Sequence, residues 1–214
     1  MYTVLEAYRK TLEEADKMGS DLLTLPVFLM KFKSTSLEFI GARAAEIERT
    51  QQITTDIRDL VVPTKRALTP DPDVLGLHMA SFPNDYFERI RLNVQYNDGL
   101  LSRQPLIIRH GEVDNANINP NKRAEKDYPH ITQYSNYFSI NTGIPSINTV
   151  QPSNLILTYV KQPTFGASVN DPVINLNDIV VTFIISRVAD DFRMEKGDPT
   201  APGQVQWTET FRKK

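Results

Sequence analysis

Apolar side chains recur with a helical period between Thr24 and Arg49. Phe28, Phe32 and Phe39 are spaced by four and seven and share one face; Leu29, Leu37, Ile40, Ala44 and Ile47 widen it. Lys31, Lys33, Glu38, Arg43, Glu46 and Glu48 fall on the other side and are expected in water. Thr24 is placed to cap the first turn, and Pro26 sits where a helix start tolerates proline. A helix of about 24 residues would run roughly 36 Å, long enough to be the spine of a domain.

Three further stretches share that rhythm. Thr3 with Glu6 has the spacing of a capping box, followed by Leu5, Tyr8, Leu12, Ala15 and Met18, with Gly19 as a left-handed end. Ile53, Ile57, Leu60 and Val61 align over Gln52–Val61 and predict a third helix stopped by Pro63, with Asp56, Arg58 and Asp59 pointing away. Near the other end, Asn175 is a candidate cap. Leu176, Ile179, Val180, Phe183, Ile184 and Val188, joined by Val181 and Ile185, make a helix apolar on most of its circumference. It is expected to be buried against the spine.

Between them the period changes to two. Residues 64–83, with TPDPD, read as an exposed connection. Ile90, Leu92, Val94 and Tyr96 then alternate with polar residues, and Asn97-Asp98-Gly99 is a hairpin turn signal, which predicts a return strand over 105–109. A short helix over 112–119, a charged exposed segment over 121–131 and strands over 134–141, 147–150 and 154–161 complete this part. The expected fold is α+β: a helical bundle of three N-terminal helices and a buried C-terminal helix, carrying an inserted, mostly antiparallel β region. Its expected divisions are 1–63, 64–170, 171–194 and an arm over 195–214. In the arm, Val205, Trp207 and Phe211 alternate with polar residues, as an added strand or as an arm docked on another subunit.

Composition narrows the function. With 214 residues, 40% apolar and 23% charged, the chain suits a soluble globular protein. No run approaches a membrane span, and the N-terminal stretch lacks the apolar core of a secretory signal. There is no cysteine, hence no disulfide and no thiolate metal site, which fits assembly in a reducing cytoplasm. A net charge of −2 argues against a strong nonspecific grip on nucleic acid.

Chemical motifs are sparse. His78, His110 and His130 lack metal-ligand spacing, and neither a phosphate-binding glycine loop nor a nucleophile elbow is present. Asp190-Asp191 reads as a solvated acidic face. The aromatic stretch DYPHITQYSNYFSI lacks the interleaved Lys and Arg of a base-stacking platform, so it reads as sheet packing. No catalytic, cofactor-binding or metal-binding residue is expected. The arm residues Val205, Trp207 and Phe211, with Lys122, Arg123 and Lys126, are the candidate subunit interface.

Several segments, taken in order, resemble the head–tail adaptor or ring proteins of short-tailed phages, especially crAss-like phages of gut Bacteroidales. They are PVFLMKFKSTSLEFI, ERTQQITTDIRDLVVP, Phe82-Pro83-Asn84-Asp85-Tyr86, GEVDNANINPNKRAEKDYP, NLILTYVKQP and NDIVVTFIISRVADDFR. Together they cover most of residues 20–194. Leu25-Pro26-Val27 replaces the family's Glu-Lys-Ser, and the last helix lacks its Glu-rich start. The resemblance implies a virion structural protein and not an enzyme, assembled in the host cytoplasm. It would form a homo-oligomeric ring, usually of twelve copies, between portal and tail, and encircle DNA without specific binding, with no cofactor and no membrane. A stopper or other tail component is the alternative, and a phage nucleic-acid-binding module a more distant one.

Overall fold

The computed structural model describes residues 1–15, 23–50, 55–74, 76–97, 102–119, 123–143 and 150–195. They form two compact units: Met1–Leu60 with the chain from Gln162 onward, and Val61–Lys161.

The helical unit contains α1 (Val4–Glu14), α2 (Leu25–Thr50) and a late helix over Asp178–Glu195. Thr3 and Glu6 close the capping box of α1: Thr3 N donates to Glu6 Oε2 at 2.8 Å and Glu6 N to Thr3 Oγ1 at 3.3 Å. In α2 the first helical bond runs from Phe28 N to the Thr24 carbonyl at 2.9 Å. Phe28, Phe32, Phe39, Ile40, Ala44 and Ile47 are all buried, as their periodicity predicts. The late helix packs on both α1 and α2 and buries Val180, Val181, Ile184, Ile185, Val188, Ala189 and Phe192, while Ile179 stays exposed. Each such large apolar side chain contributes roughly 1.5–3 kcal/mol on burial. Its cap is Asn177, not Asn175: Asn177 Oδ1 accepts from Val180 N at 2.9 Å, whereas Asn175 Oδ1 is taken by Thr164 N at 3.0 Å.

The expected bundle with three N-terminal helices is not what forms; only two helices precede the strands. The described part of the anticipated third helix is a bend and one 3₁₀ turn, Arg58–Leu60, and the chain then enters β1 (Val61–Ala67). Ile57 and Leu60 are fully buried, so the apolar positions were real, but they need only one turn. The pair Val61-Val62 ahead of Pro63 favours extended backbone, and β1 finds a full antiparallel partner. Arg43, expected in water, is also buried; it bridges Glu46 at 2.6 Å and Asp56 at 3.0 Å.

The second unit is a two-layer β structure. One sheet is β1-β9-β4-β5, with β4 (Tyr86–Tyr96), β5 (Ser102–Arg103) and β9 (Pro152–Lys161). The other is β2-β3-β8-β7-β6, from β2 (Thr69–Pro70), β3 (Leu77–Ser81), β6 (Leu106–Ile107), β7 (His130–Gln133) and β8 (Tyr137–Asn141). Leu92, Val94, Tyr96, Leu155, Leu157 and Tyr159 of the first sheet share a core with Ala80, Ile131, Phe138 and Ile140 of the second. The hairpin turn expected at Asn97-Asp98-Gly99 lies, apart from Asn97, outside the described residues; β5 pairs with β4, and the expected return strand over 105–109 instead gives β6, parallel to β7 in the other sheet. The stretch read as an exposed connection holds β2, β3 and part of β1. The helix α3 (Val113–Ile118) follows β6. The short strand expected over 147–150 lies, apart from Val150, outside the described residues.

Candidate functional site

Of the six candidate interface residues, Val205, Trp207, Phe211 and Lys122 lie outside the described residues. Arg123 is exposed and Lys126 half-buried. The Lys126 ammonium lies 5.6 Å from the Tyr96 ring centroid, and its carbonyl accepts from the Tyr96 hydroxyl at 2.7 Å. Asp127 accepts from Arg103 Nε at 3.0 Å, and a buried Ala124 anchors the segment. Residues 123–128 are therefore pinned to β4 and β5 by contacts on both sides. A mutual backbone pair between Glu125 and Tyr128, at 3.0 and 3.2 Å, turns the Tyr128 ring outward, 71% exposed.

Tyr128 stands beside β6. Leu106 N donates to the Pro129 carbonyl at 2.8 Å and Ile108 N to Ile131 at 2.9 Å. In a parallel ladder, alternate residues face the partner strand, so the Ile107 backbone points away from β7, where the sheet ends among the described residues. Leu106 and Ile107 are 58% and 49% exposed. The other edges are guarded differently. Pro63, Lys65 and Arg66 sit on β1, Pro70 on β2, and Ser102 with Arg103 on β5. Proline and charge are devices that keep an edge from pairing; the two residues of β6 carry neither, and the strand is limited instead by its length, with Pro105 before it and Arg109 just after.

The outer face of the second sheet carries a different feature. His130 pairs with Asn141 and Thr132 with Ser139, so these four side chains share the face opposite the core residues Ile131, Phe138 and Ile140. They line a cavity of about 150 Å³, whose other walls include Leu77, Ile108, Val113 and Tyr134. The Tyr134 ring stacks on Tyr137 at 4.7 Å and meets His110 edge-on at 5.2 Å. Burial pushes the His130 imidazole down from its ordinary range and the Tyr134 phenol up. His78, on the inner face, is also pushed down by burial, with a backbone hydrogen bond to Gly76 acting the other way.

Asp190 lies 3.6 Å from Arg193 and Asp191 3.9 Å from Arg187, both as ion pairs along the last helix. Burial raises the Asp190 carboxyl. Among the described residues no group of three His, Asp or Glu side chains could hold a metal ion, and no helix is long and apolar enough to cross a membrane.

Sequence reading did not find the β6 edge as an edge, because Leu106-Ile107-Ile108 looked like the second half of a hairpin. It also assigned His130 and Ile131 to an exposed segment. The alternation of Ile131 with His130 and Thr132 was the available signal. Compared with known proteins, the chain matches no protein-family model and no curated protein.

Proposed function

We propose that the chain is a virion structural protein that forms a homo-oligomeric ring in a phage neck, joining portal to tail around the DNA channel. The observation that carries the reading is the apolar edge of β6, with Leu106, Ile107 and the neighbouring Tyr128 all exposed. An apolar strand edge is a template for a further strand. Supplied by a sister copy, that strand makes a head-to-tail contact, and such contacts close into rings. The alternating Val205, Trp207 and Phe211 give a candidate strand to occupy the edge. The ordered resemblance of six segments to neck ring proteins supplies the place in the virion and the expectation of twelve copies. A net charge of −2 suits a ring through which DNA slides.

The test is electron microscopy of the full chain with portal, beside a chain truncated from Gly197. Ring-shaped particles on the portal, lost on truncation while the helical unit keeps its circular dichroism, are the expected result. A full chain that stays monomeric with portal present contradicts the proposal.

A further inference from the structure

His130 stands where the β6 edge is fastened to the rest of its sheet. Leu106 pairs with His130 and Ile107 with Ile131. Two backbone bonds hold the strand there, Leu106 N to the Pro129 carbonyl at 2.8 Å and Ile108 N to the Ile131 carbonyl at 2.9 Å. On its other side β7 is held by a four-residue register with β8. β6 is therefore tied more lightly than β7, and local opening starts with it.

The His130 imidazole is buried against the cavity on the outer face of the sheet. Ile108 is both the anchor of β6 on Ile131 and a wall of that cavity. No Asp or Glu lines the space; Tyr134 is the other titratable group on its walls, with His110 beyond it, edge-on to the Tyr134 ring. Glu112 and Asp114, on either side of Val113, are exposed, and Asp127 is paired with Arg103 at 2.9 Å. Desolvation alone acts on the His130 ring, and it pushes the imidazole down. A buried charge without a counter-charge is costly, so the protonated ring needs water. Lifting Ile108 admits water and breaks one of the two bonds that hold β6.

We infer that protonation of His130 is a switch that releases β6 from β7 and so removes the edge on which a sister copy pairs. Only the last step rests on the ring proposed above; the release of β6 stands on this chain alone. At neutral pH the ring is uncharged and β6 is docked. As pH falls below 6.5 the released form takes up the proton first and gains population. His78 is an internal control: it is held down in the same direction, but its strand β3 lies on the far side of β8 and does not pair with β6.

The experiment is hydrogen exchange of the full chain at pH 7.5 and 5.0, corrected for intrinsic exchange and read by mass spectrometry on peptides over 104–109 and 152–161. Since pH 5.0 lies 1.5 below 6.5, proton uptake favours release by at most about 30-fold; a loss of protection of about tenfold is expected over 104–109 and not over 152–161. His130→Gln and His130→Leu, either sufficient should the other not fold, are expected to keep the edge protected at pH 5.0, whereas His78→Gln still loses it. A loss spread evenly over both peptides, or one that persists without the imidazole, overturns the inference. Mass photometry at the same two pH values separates the switch from the ring. An oligomer that dissociates at pH 5.0 in the wild type but not in His130→Gln supports both, while edge release in a chain that is monomeric throughout leaves the switch standing and removes the ring.

Discussion

The Tyr159 hydroxyl donates a 2.8 Å hydrogen bond to Asp85 Oδ1. It joins two segments far apart in the chain, Phe82–Tyr86 and NLILTYVKQP. The same residues carry an aromatic cluster: Tyr86 stacks on Phe82 at 4.4 Å and on Tyr159 at 5.8 Å, and Phe82 meets Phe138 at 4.6 Å. Two short motifs far apart in the chain thus form one packed corner of the β unit.

Desolvation, helped by the Asp85 hydrogen bond and charge, pushes the Tyr159 phenol up to about 12 from 10.0. The native state therefore holds this proton more tightly than the unfolded chain does. The stabilisation is complete below pH 10 and is lost as pH rises through about 12. Thermal unfolding across that window should show the loss in the wild type, and Tyr159→Phe should flatten it. At neutral pH the same substitution should cost about 1 kcal/mol by denaturant titration. An unchanged alkaline slope in the variant would contradict the assignment.

At the acid end the two buried histidines act. His78 and His130 are both held below 6.5, chiefly by desolvation. The unfolded chain takes up protons first, so their contribution is present above pH 6.5 and is lost as pH falls through the folded values. Denaturant midpoints of the β unit should drop below that pH, and the drop should shrink in His78→Gln and in His130→Gln. NMR titration of the imidazole carbons gives an independent check; an unshifted midpoint for either ring would defeat this prediction.

Arg43 fixes α2 to the turn before β1 through Asp56 and lies 5.5 Å from the Phe39 ring centroid. Arg43→Ala should destabilise the helical unit by about 2 kcal/mol, below the 3–5 kcal/mol of a wholly buried pair, because Glu46 and Asp56 remain partly in water. Asp56→Asn should cost less. Chemical denaturation followed by helical circular dichroism measures both, and equal or negligible losses would remove Arg43 from the core.

These residues also show what the sequence could tell. The spine and the alternating strand ending at Tyr96 were legible because each obeys one period over many residues and buries the face that period defines. The first helix formed as expected but buries Val4, Ala7 and Thr11 and leaves Leu5, Tyr8 and Leu12 half-buried. The failures came where the pattern was short. Ile57, Leu60 and Val61 fit a helical face, yet tertiary pairing with β9 captured Val61 for a strand. Leu106-Ile107 fitted a hairpin return, yet it joined the other sheet in parallel, a partner no local signal specifies. The cavity was not legible: its polar residues come from β7 and β8, and only the register sets His130 beside Asn141. Arg43 looked like a surface cation because charge alone does not show that Asp56 waits across a turn.

The exposed edge makes assembly separable from folding. Ile107→Lys puts a charge on an edge strand whose side chain is 49% exposed, so the fold should tolerate it within about 0.5 kcal/mol. Inter-subunit pairing should suffer far more. Matched far-ultraviolet circular dichroism spectra with a reduced oligomer fraction are expected; an unchanged oligomer fraction would place the contact elsewhere.

Mass photometry of the full wild-type chain, with and without portal, tests the central claim most directly. A discrete closed oligomer, shifted toward monomer by Ile107→Lys, is the predicted distribution. A single monomer peak under both conditions, identical for wild type and variant, would show that this chain is not a ring-forming coupling.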